Sequence, residues 1–396
     1  MRIGPRWMNR FALALPLVLG LAAGCKKPPP AAETGDIVVG EYGSLTGSEA
    51  NFGQSTHNGI VMAVEEINGG GGILGRRVVL KNYDDQGKVS EVGTAVTRLI
   101  TSDRALAVLG EVASSLSIAG GQIAQQHGVP MISPSSTNPK VTETGDYIFR
   151  VCFIDPFQGY VMAKFATDGT AEKGLGVKKI AILFDQRQAY SQGLARDFEN
   201  ALQKLGGTIV AKESFQGGDQ DFSAQLTRIK GAAPEAIWIP GYYNEVANIA
   251  RQARGRGLAM PLLGGDGWES VTEIGGPSLD GAYYSNHYAP EDPRPEVQSF
   301  VSRYKAKFGR VPDAMSALAF DATMLIRDAA VRAKLQGSLV EQRRALRDAL
   351  AKTEGFQGVA GKITMDANRN ARKPAVVLRI DGTKKVASFV TSIAPQ

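Results

Sequence analysis

From Asp36 onward the chain alternates short apolar runs with longer amphipathic stretches. Residues 36–43, "DIVVGEYG", read as a strand that Gly43 ends. Residues 51–68 place Ile60, Val61, Val64 and Ile67 at helical spacing on one face. The rhythm then repeats: "RRVVLKNYDD" reads as strand, "KVSEVGTAVTRLI" as helix, "ALAVLG" as strand, "SSLSIAGGQIAQQHG" as helix and "VPMIS" as strand. A second series follows "YIFRVCFIDP", with helices over 157–172, 190–205, 220–230 and 244–256 and strands over 178–184, 208–215, 235–241 and 260–265. A long helix over 315–333, a charged amphipathic helix in "SLVEQRRALRDALAKT" and two strand-like runs, "PAVVLRI" and "VASFVTS", close the chain. Strands alternating with helices across short loops predict a parallel sheet covered on both faces. Two such series in tandem predict an α/β fold of two doubly wound parallel-sheet lobes with a cleft between them.

The first 35 residues break this rhythm. Residues 1–24 carry Arg2, Arg6 and Arg10 and no acid, followed by an apolar run from Phe11 to Ala23 interrupted only by Pro16 and Gly20. That run is about 13 residues long, whereas a membrane-spanning helix needs roughly 20, so it reads as a secretory signal. Small residues at 22–24 directly before Cys25 resemble a bacterial lipobox. The resemblance implies cleavage after residue 24, diacylglycerol on the Cys25 thiol and acylation of the new amine; an ordinary signal with an incidental Cys25 is the alternative. Several acyl chains anchor a protein where one alone binds only marginally. Residues 25–35, with Pro28–Pro30, read as an extended tether. The net charge of +6 falls to +3 without the three leader arginines, which removes the case for a nucleic-acid partner.

Composition narrows the chemistry. Two cysteines build neither a disulfide scaffold nor a four-thiolate zinc site, and three histidines far apart make a poor metal cluster. Gly70, Gly72 and Gly75 match G-x-G-x-x-G, but they follow a helix and precede a strand, the reverse of a dinucleotide site, so they read as a turn. No nucleophile elbow, H-E-x-x-H or Walker A pattern is present. Asp84 and Asp85 read as capping or solvated groups at a strand end, and Cys152 as a small buried core residue. More informative is residues 108–139. A strand ends at Gly110, a helix starts near Ser114, and the next strand runs into "SPSSTNP". Hydroxyls there either cap the helix or, with its free N–H groups, bind a carboxylate. Pro134 and Pro139 stiffen the second loop at the carboxyl end of a strand, where open α/β sheets bind ligands.

The segments "GSLTGSEANFGQSTHNGIVMAVEEINGGGGILGRRVVL", "YDD", "GEVASS", "ISPSSTNP", "YSQGLA", "DFSAQLTRIK" and "GYYNEVANIARQARGRGL" resemble, in order, the periplasmic leucine/isoleucine/valine-binding proteins. The resemblance implies the type I periplasmic binding ("Venus flytrap") fold, two lobes on a three-strand hinge. It implies crossings near Arg150–Pro156, Tyr284–Pro290 and Thr364–Asn368, with lobe 1 over 36–153 and 288–365 and lobe 2 over 154–287 and 366–396. By that resemblance Ser114 and Thr137 hold a ligand α-carboxylate, the Ser135 carbonyl accepts from the α-ammonium, and Asp266 pairs with the ammonium in place of a longer Glu. Tyr190, Tyr242 and Phe52 line the side-chain pocket, with Trp268 either beside them or in the core. The family's first-lobe disulfide is missing, with Gly87 and Ala113 near those positions. The implied function is an extracytoplasmic binding lipoprotein that carries an aliphatic or aromatic L-amino acid to the permease and ATPase of an ABC importer. It needs no cofactor or metal, acts as a monomer and is no enzyme. A sensor of the same fold for amides, short peptides or other small polar solutes is the second reading.

Overall fold

The structure is a computed structural model that describes residues 1–4, 34–170 and 174–395. Cys25 and most of the leader before it lie outside the described residues. In the first sheet β1 (Ile37–Gly43) pairs in parallel with β2 (Val78–Asp84) on one side and β3 (Ala107–Leu109) on the other. Next come β4 (Met131–Ser133) and β5 (Ile148–Arg150), giving the order β2-β1-β3-β4-β5. The connections carry α1 (Ala50–Gly69), α2 (Val89–Thr101), α3 (Ser114–Gln126) and the short α4 (Lys140–Glu143). The two-residue period of β1 explains why helices cover both faces. Ile37 and Val39 pack with Ile60 and Ala63 of α1. Gly40 points the other way, where a Cβ would stand 3.1 Å from Leu99 of α2.

The chain then crosses to a second sheet. There α5 spans Asp155–Thr167, earlier at both ends than the sequence pattern suggests. Pro156 lies in its first turn, where a missing N–H costs nothing, and Asp168 turns extended to end it. The series continues as β6 (Lys179–Asp185), α6 (Ala189–Lys204), β7 (Thr208–Phe215), α7 (Ser223–Gly231), β8 (Ala236–Trp238), α8 (Tyr243–Gly255), β9 (Leu262–Gly264), the short α9 (Val271–Gly275) and β10 (Tyr283–Asn286). A return follows through α10 (Pro295–Phe308), α11 (Ala314–Ala333) and α12 (Leu339–Ala351), whose Val297, Leu318 and Leu346 join the core around Ile37 and Val39. After the hairpin of β11 (Phe356–Gly358) and β12 (Gly361–Ile363) the chain crosses again. Its last strands, β13 (Ala375–Asp381) and β14 (Val386–Ile393), complete the order β14-β13-β10-β9-β8-β6-β7. This sheet is parallel from β7 to β10, but β13 and β14 are antiparallel. The apolar pattern did not reveal β10, α10 or the β11–β12 hairpin.

Three segments thus link the two lobes: those after β5, after β10 and after β12. The glycine cluster is a turn between α1 and β2. Gly72 has φ +78 there, and a Cβ on it would meet the Arg76 carbonyl oxygen at 2.1 Å. Asp84 caps that end of its strand, accepting from the N–H groups of Leu45, Thr46 and Gln86.

Helices α1 and α11 pack through a backbone approach that depends on Gly59, where a Cβ would lie 2.2 Å from the Ser316 carbonyl oxygen. Rigid backbone on both sides cannot rotate away. Gly59→Ala should therefore destabilise the protein by about 1–3 kcal/mol, despite the better helix propensity of alanine. Urea unfolding of the two proteins checks this; equal midpoints would mean that the helices part freely.

Candidate ligand-binding site

Two buried ionisable residues shape the loops at the carboxyl edge of the first sheet. Glu111, just past β3, accepts on one carboxylate oxygen from the Ser44 N–H and Ser44 hydroxyl, both at 2.8 Å, and on the other from the Ala113 N–H at 2.6 Å. Its carbonyl takes the hydroxyls of Ser117, Ser133 and Ser136 at 2.8–2.9 Å. Arg150, the last residue of β5, is fully buried and donates to the carbonyls of Ser136 at 2.6 Å and Asn138 at 2.7 Å. The hydroxyl-rich loop is thereby fixed from beneath. Ser135 and Thr137 keep buried hydroxyls with no hydrogen-bond partner. Ser114 opens α3 without a side-chain cap, which leaves first-turn N–H groups at a positive helix end. Its hydroxyl accepts from the Asn138 N–H at 3.3 Å, so Ser114 is partly spent on the loop itself.

The second lobe supplies the facing wall. Tyr190 and Tyr242 stack with ring centroids 5.3 Å apart and planes 5° from parallel, and Phe52 from α1 meets Tyr242 edge-on at 5.7 Å. The Tyr190 hydroxyl accepts from the Gly267 N–H at 3.1 Å, whereas the Tyr242 hydroxyl has no partner. Asp266 follows β9 in a single 3-10 turn. Gln158 donates to one of its oxygens at 2.8 Å, and His287 Nε2 lies 2.9 Å from the other. Phe52, Ser135, Thr137, Tyr190, Tyr242 and Asp266 line one cavity with Val112 and Met315. Ser114 stands outside that lining. Trp268 is a core residue, with its indole N–H on the Ile239 carbonyl at 2.8 Å. The walls leave only about 10 Å³ between them, roughly one water centre, so any larger molecule enters only if the lobes or rings move. Direct bonds hold the cleft shut: Tyr243 donates to the Ser48 carbonyl at 2.7 Å, Asn138 to the Ala189 carbonyl at 2.7 Å, and the Ala189 N–H to the Ser115 hydroxyl at 3.1 Å.

This geometry can be set beside known proteins. The profile described as periplasmic binding protein matches residues 36–385. The chain belongs to the periplasmic binding protein family. An amino acid binding protein of Pseudomonas aeruginosa is 33% identical over 75% of this chain and 76% of its own length. The Leu/Ile/Val-binding protein homolog 2 of Brucella abortus is 32% identical over 84% and 86%. Among solved structures, the leucine-binding protein of Thermotoga maritima is 38% identical with TM-score 0.84, over 91% of this chain and 99% of its own. The branched-chain amino acid transporter substrate-binding protein of Streptococcus pneumoniae, in complex with isoleucine, is 32% identical with TM-score 0.83, over 91% and 100%. The fold is that of type I periplasmic binding proteins, and the family is one of substrate-binding proteins.

Three polar residues of this periplasmic binding protein escaped the sequence reading. Gln158 and His287 flank Asp266, and His287 stacks on Phe153 at 3.7 Å. Asp155 lies at the start of α5 with both carboxyl oxygens buried and unpartnered; burial first, then Asp266 and Asp197, hold its carboxyl well above the usual range. A polar residue at each crossing between sheets was the only available signal. Cys152 is buried and free, with its thiol pushed up to about 12 by burial, which fits the core role expected of it. The pair Asp84–Asp85 belongs to no metal cluster, and no group of three candidate ligands occurs among the described residues.

The buried acids make stability depend on pH. Burial first, then Asp85, pushes Glu111 up to about 8. The folded chain keeps a proton there that the unfolded chain releases above about 4.5, so stability falls as pH rises from about 4.5 towards 8. His287 acts oppositely: burial lowers its pKa, so its contribution is full above about 6.5 and is lost as pH falls below it. Between pH 6.5 and 8 the melting temperature should therefore drop more steeply in the wild type than in Glu111→Gln. Thermal melts across that window check it; parallel slopes would remove Glu111 as the source.

Proposed function

We propose that this chain is an extracytoplasmic solute-binding lipoprotein of an ABC importer, which takes an L-amino acid with an aliphatic or aromatic side chain into the interlobe cavity and delivers it to a membrane permease. The observation that carries this reading is the polarity of the cavity. On one wall are two buried, unpartnered hydroxyls, Ser135 and Thr137, beside the free end of α3; across from them is the Asp266 carboxylate. A zwitterion needs that arrangement, donors for its carboxylate and an acid for its ammonium, and each charged hydrogen bond is worth about 1.5–3 kcal/mol. Phe52, Tyr190, Tyr242, Val112 and Met315 offer an apolar surface to the side chain between. Relatives at 32–38% identity whose names specify leucine, isoleucine or valine support the ligand class.

In this reading the Ser135 carbonyl takes part of the ammonium, as the family resemblance implies, and the Ser114 hydroxyl helps from the edge of the cavity. The ligand binds the first lobe, and closure about the three crossing segments brings Tyr190, Tyr242 and Asp266 over it. Ligand stabilises the closed form only because it binds that form better. Acyl chains on Cys25 hold the protein at the periplasmic side of a bacterial membrane, from which it delivers the ligand to the permease and ATPase, and a monomer suffices.

Asp266→Asn keeps the shape of the side chain and removes the charge. Affinity for an amino acid that the wild type binds should fall about 10–100-fold, measured by titration calorimetry. Unchanged affinity would reject Asp266 as the partner of the ammonium.

A further inference from the structure

Tyr242 has two sides. One lines the small inner cavity; the other lines a larger chamber, about 380 Å³, between the lobes at the mouth of the cleft. The first lobe contributes Glu49, Ala113 and Leu116 to this chamber, and the second contributes Asp185, Arg187 and Glu245. Three carboxylates against one exposed guanidinium leave the chamber acidic.

Two of its groups lack partners. Glu49 is only 9% exposed, and among the described residues no hydrogen bond reaches its carboxylate; its carbonyl is used, by the N–H groups of Phe52 and Gly53. The Tyr242 hydroxyl is buried and likewise unpartnered. By contrast Asp185 accepts from the Arg187 N–H at 2.8 Å and Glu245 from the Gly218 N–H at 3.0 Å, so those two have structural work. An unpaired buried acid is costly, and here its neighbours add to the cost. Burial first, and then Glu111, Glu245, Asp85 and Asp185, hold the Glu49 carboxyl well above the usual range. No group of three ligating side chains converges there tightly enough for a metal ion among the described residues. The acids are instead spread around a space with an aromatic wall, which suits an organic cation: a guanidinium or ammonium can meet a carboxylate and lie against a ring face.

We propose that this chamber is a second subsite, built to receive the cationic end of a ligand side chain whose α-amino and α-carboxyl groups occupy the inner cavity. The inference rests on the amino-acid reading above and widens its ligand class to basic amino acids, with an ammonium or guanidinium beyond the Tyr242 ring. Glu49 is the principal partner of that cation and Glu245 a secondary one.

The test is titration calorimetry with leucine, lysine and arginine on the wild type, Glu49→Gln and Glu245→Gln. The wild type is expected to bind lysine or arginine as well as leucine. Glu49→Gln should lower affinity for the basic ligand relative to leucine by about tenfold or more, and Glu245→Gln by less. The ratio of the two affinities is the read-out, so a general loss of folded protein cancels. Binding of leucine without lysine or arginine, or a ratio that neither substitution moves, overturns the second subsite and leaves the inner one standing. A wild type that binds none of the three overturns the amino-acid reading itself.

Discussion

A guanidinium with no exposure to solvent must find its acceptors inside the protein or not be there at all. Arg150 finds them in the backbone of one loop, the carbonyls of Ser136 and Asn138, and in no carboxylate. This one requirement ties three parts of the molecule together. Arg150 ends β5, the edge strand of the first sheet; it stands at the first crossing to the second lobe; and it fixes the loop that carries Ser135 and Thr137. Glu111 imposes the complementary constraint from β3, gathering N–H groups on its carboxylate and three serine hydroxyls on its carbonyl. Two buried ionisable side chains, both bonded to uncharged groups, hold the floor of the cleft. The hydroxyls that face the cavity are those the scaffold does not use.

The opposite wall is built on another principle. Asp266 is held by Gln158 and His287, and neither brings a fixed charge. Burial keeps the imidazole neutral, so the carboxylate is oriented without being cancelled, and its attraction for an external cation survives in a medium of low dielectric. The position of His287 adds a mechanical consequence. It lies just past β10, at the second crossing, and stacks on Phe153 at the first. The partner of the acid therefore stands where two of the crossings meet.

Much of this was legible in the sequence because it depends on periodicity. The spacing of Ile60, Val64 and Ile67, the β-branched runs and the glycine turn at 70–75 are local signals, and they fixed the α/β architecture and most element limits to within two or three residues. What was missed has no local signal. Strand β10 is four residues long and reads as strand only beside β9 and β13. Helix α10 opens on a proline and follows a loop, so its few apolar positions, Val297, Phe300 and Tyr304, stand out only once a sheet lies beneath them. At the site, Ser135, Thr137, Phe52, Tyr190, Tyr242 and Asp266 line one cavity. Ser114 is set slightly apart because Asn138 uses its hydroxyl. Trp268 belongs to the core because a buried indole N–H needs an acceptor, and the Ile239 carbonyl is in place. Gln158 and His287 could not be found one at a time, since each meets Asp266 from more than 15 residues away; Asp155 is marked only by its burial.

The polar groups left over at the cleft also bear on why the protein should respond to a ligand at all. Ser135, Thr137, Tyr242 and Asp155 have buried polar atoms without hydrogen bonds, and each unmet group of this kind costs about 1–3 kcal/mol. The closed form therefore carries a penalty concentrated between the lobes, while direct bonds such as Tyr243 to Ser48 offset part of it. Opening relieves the penalty by admitting water, and a ligand relieves it without opening. The crossings themselves are packed, with Val151, Cys152, Phe153, His287 and Tyr288 all buried. A mutation that satisfied the unmet atoms internally would stabilise the closed protein and abolish its use as a receptor, which is the physical reason for a well-packed fold to keep so many unpaired groups in one place.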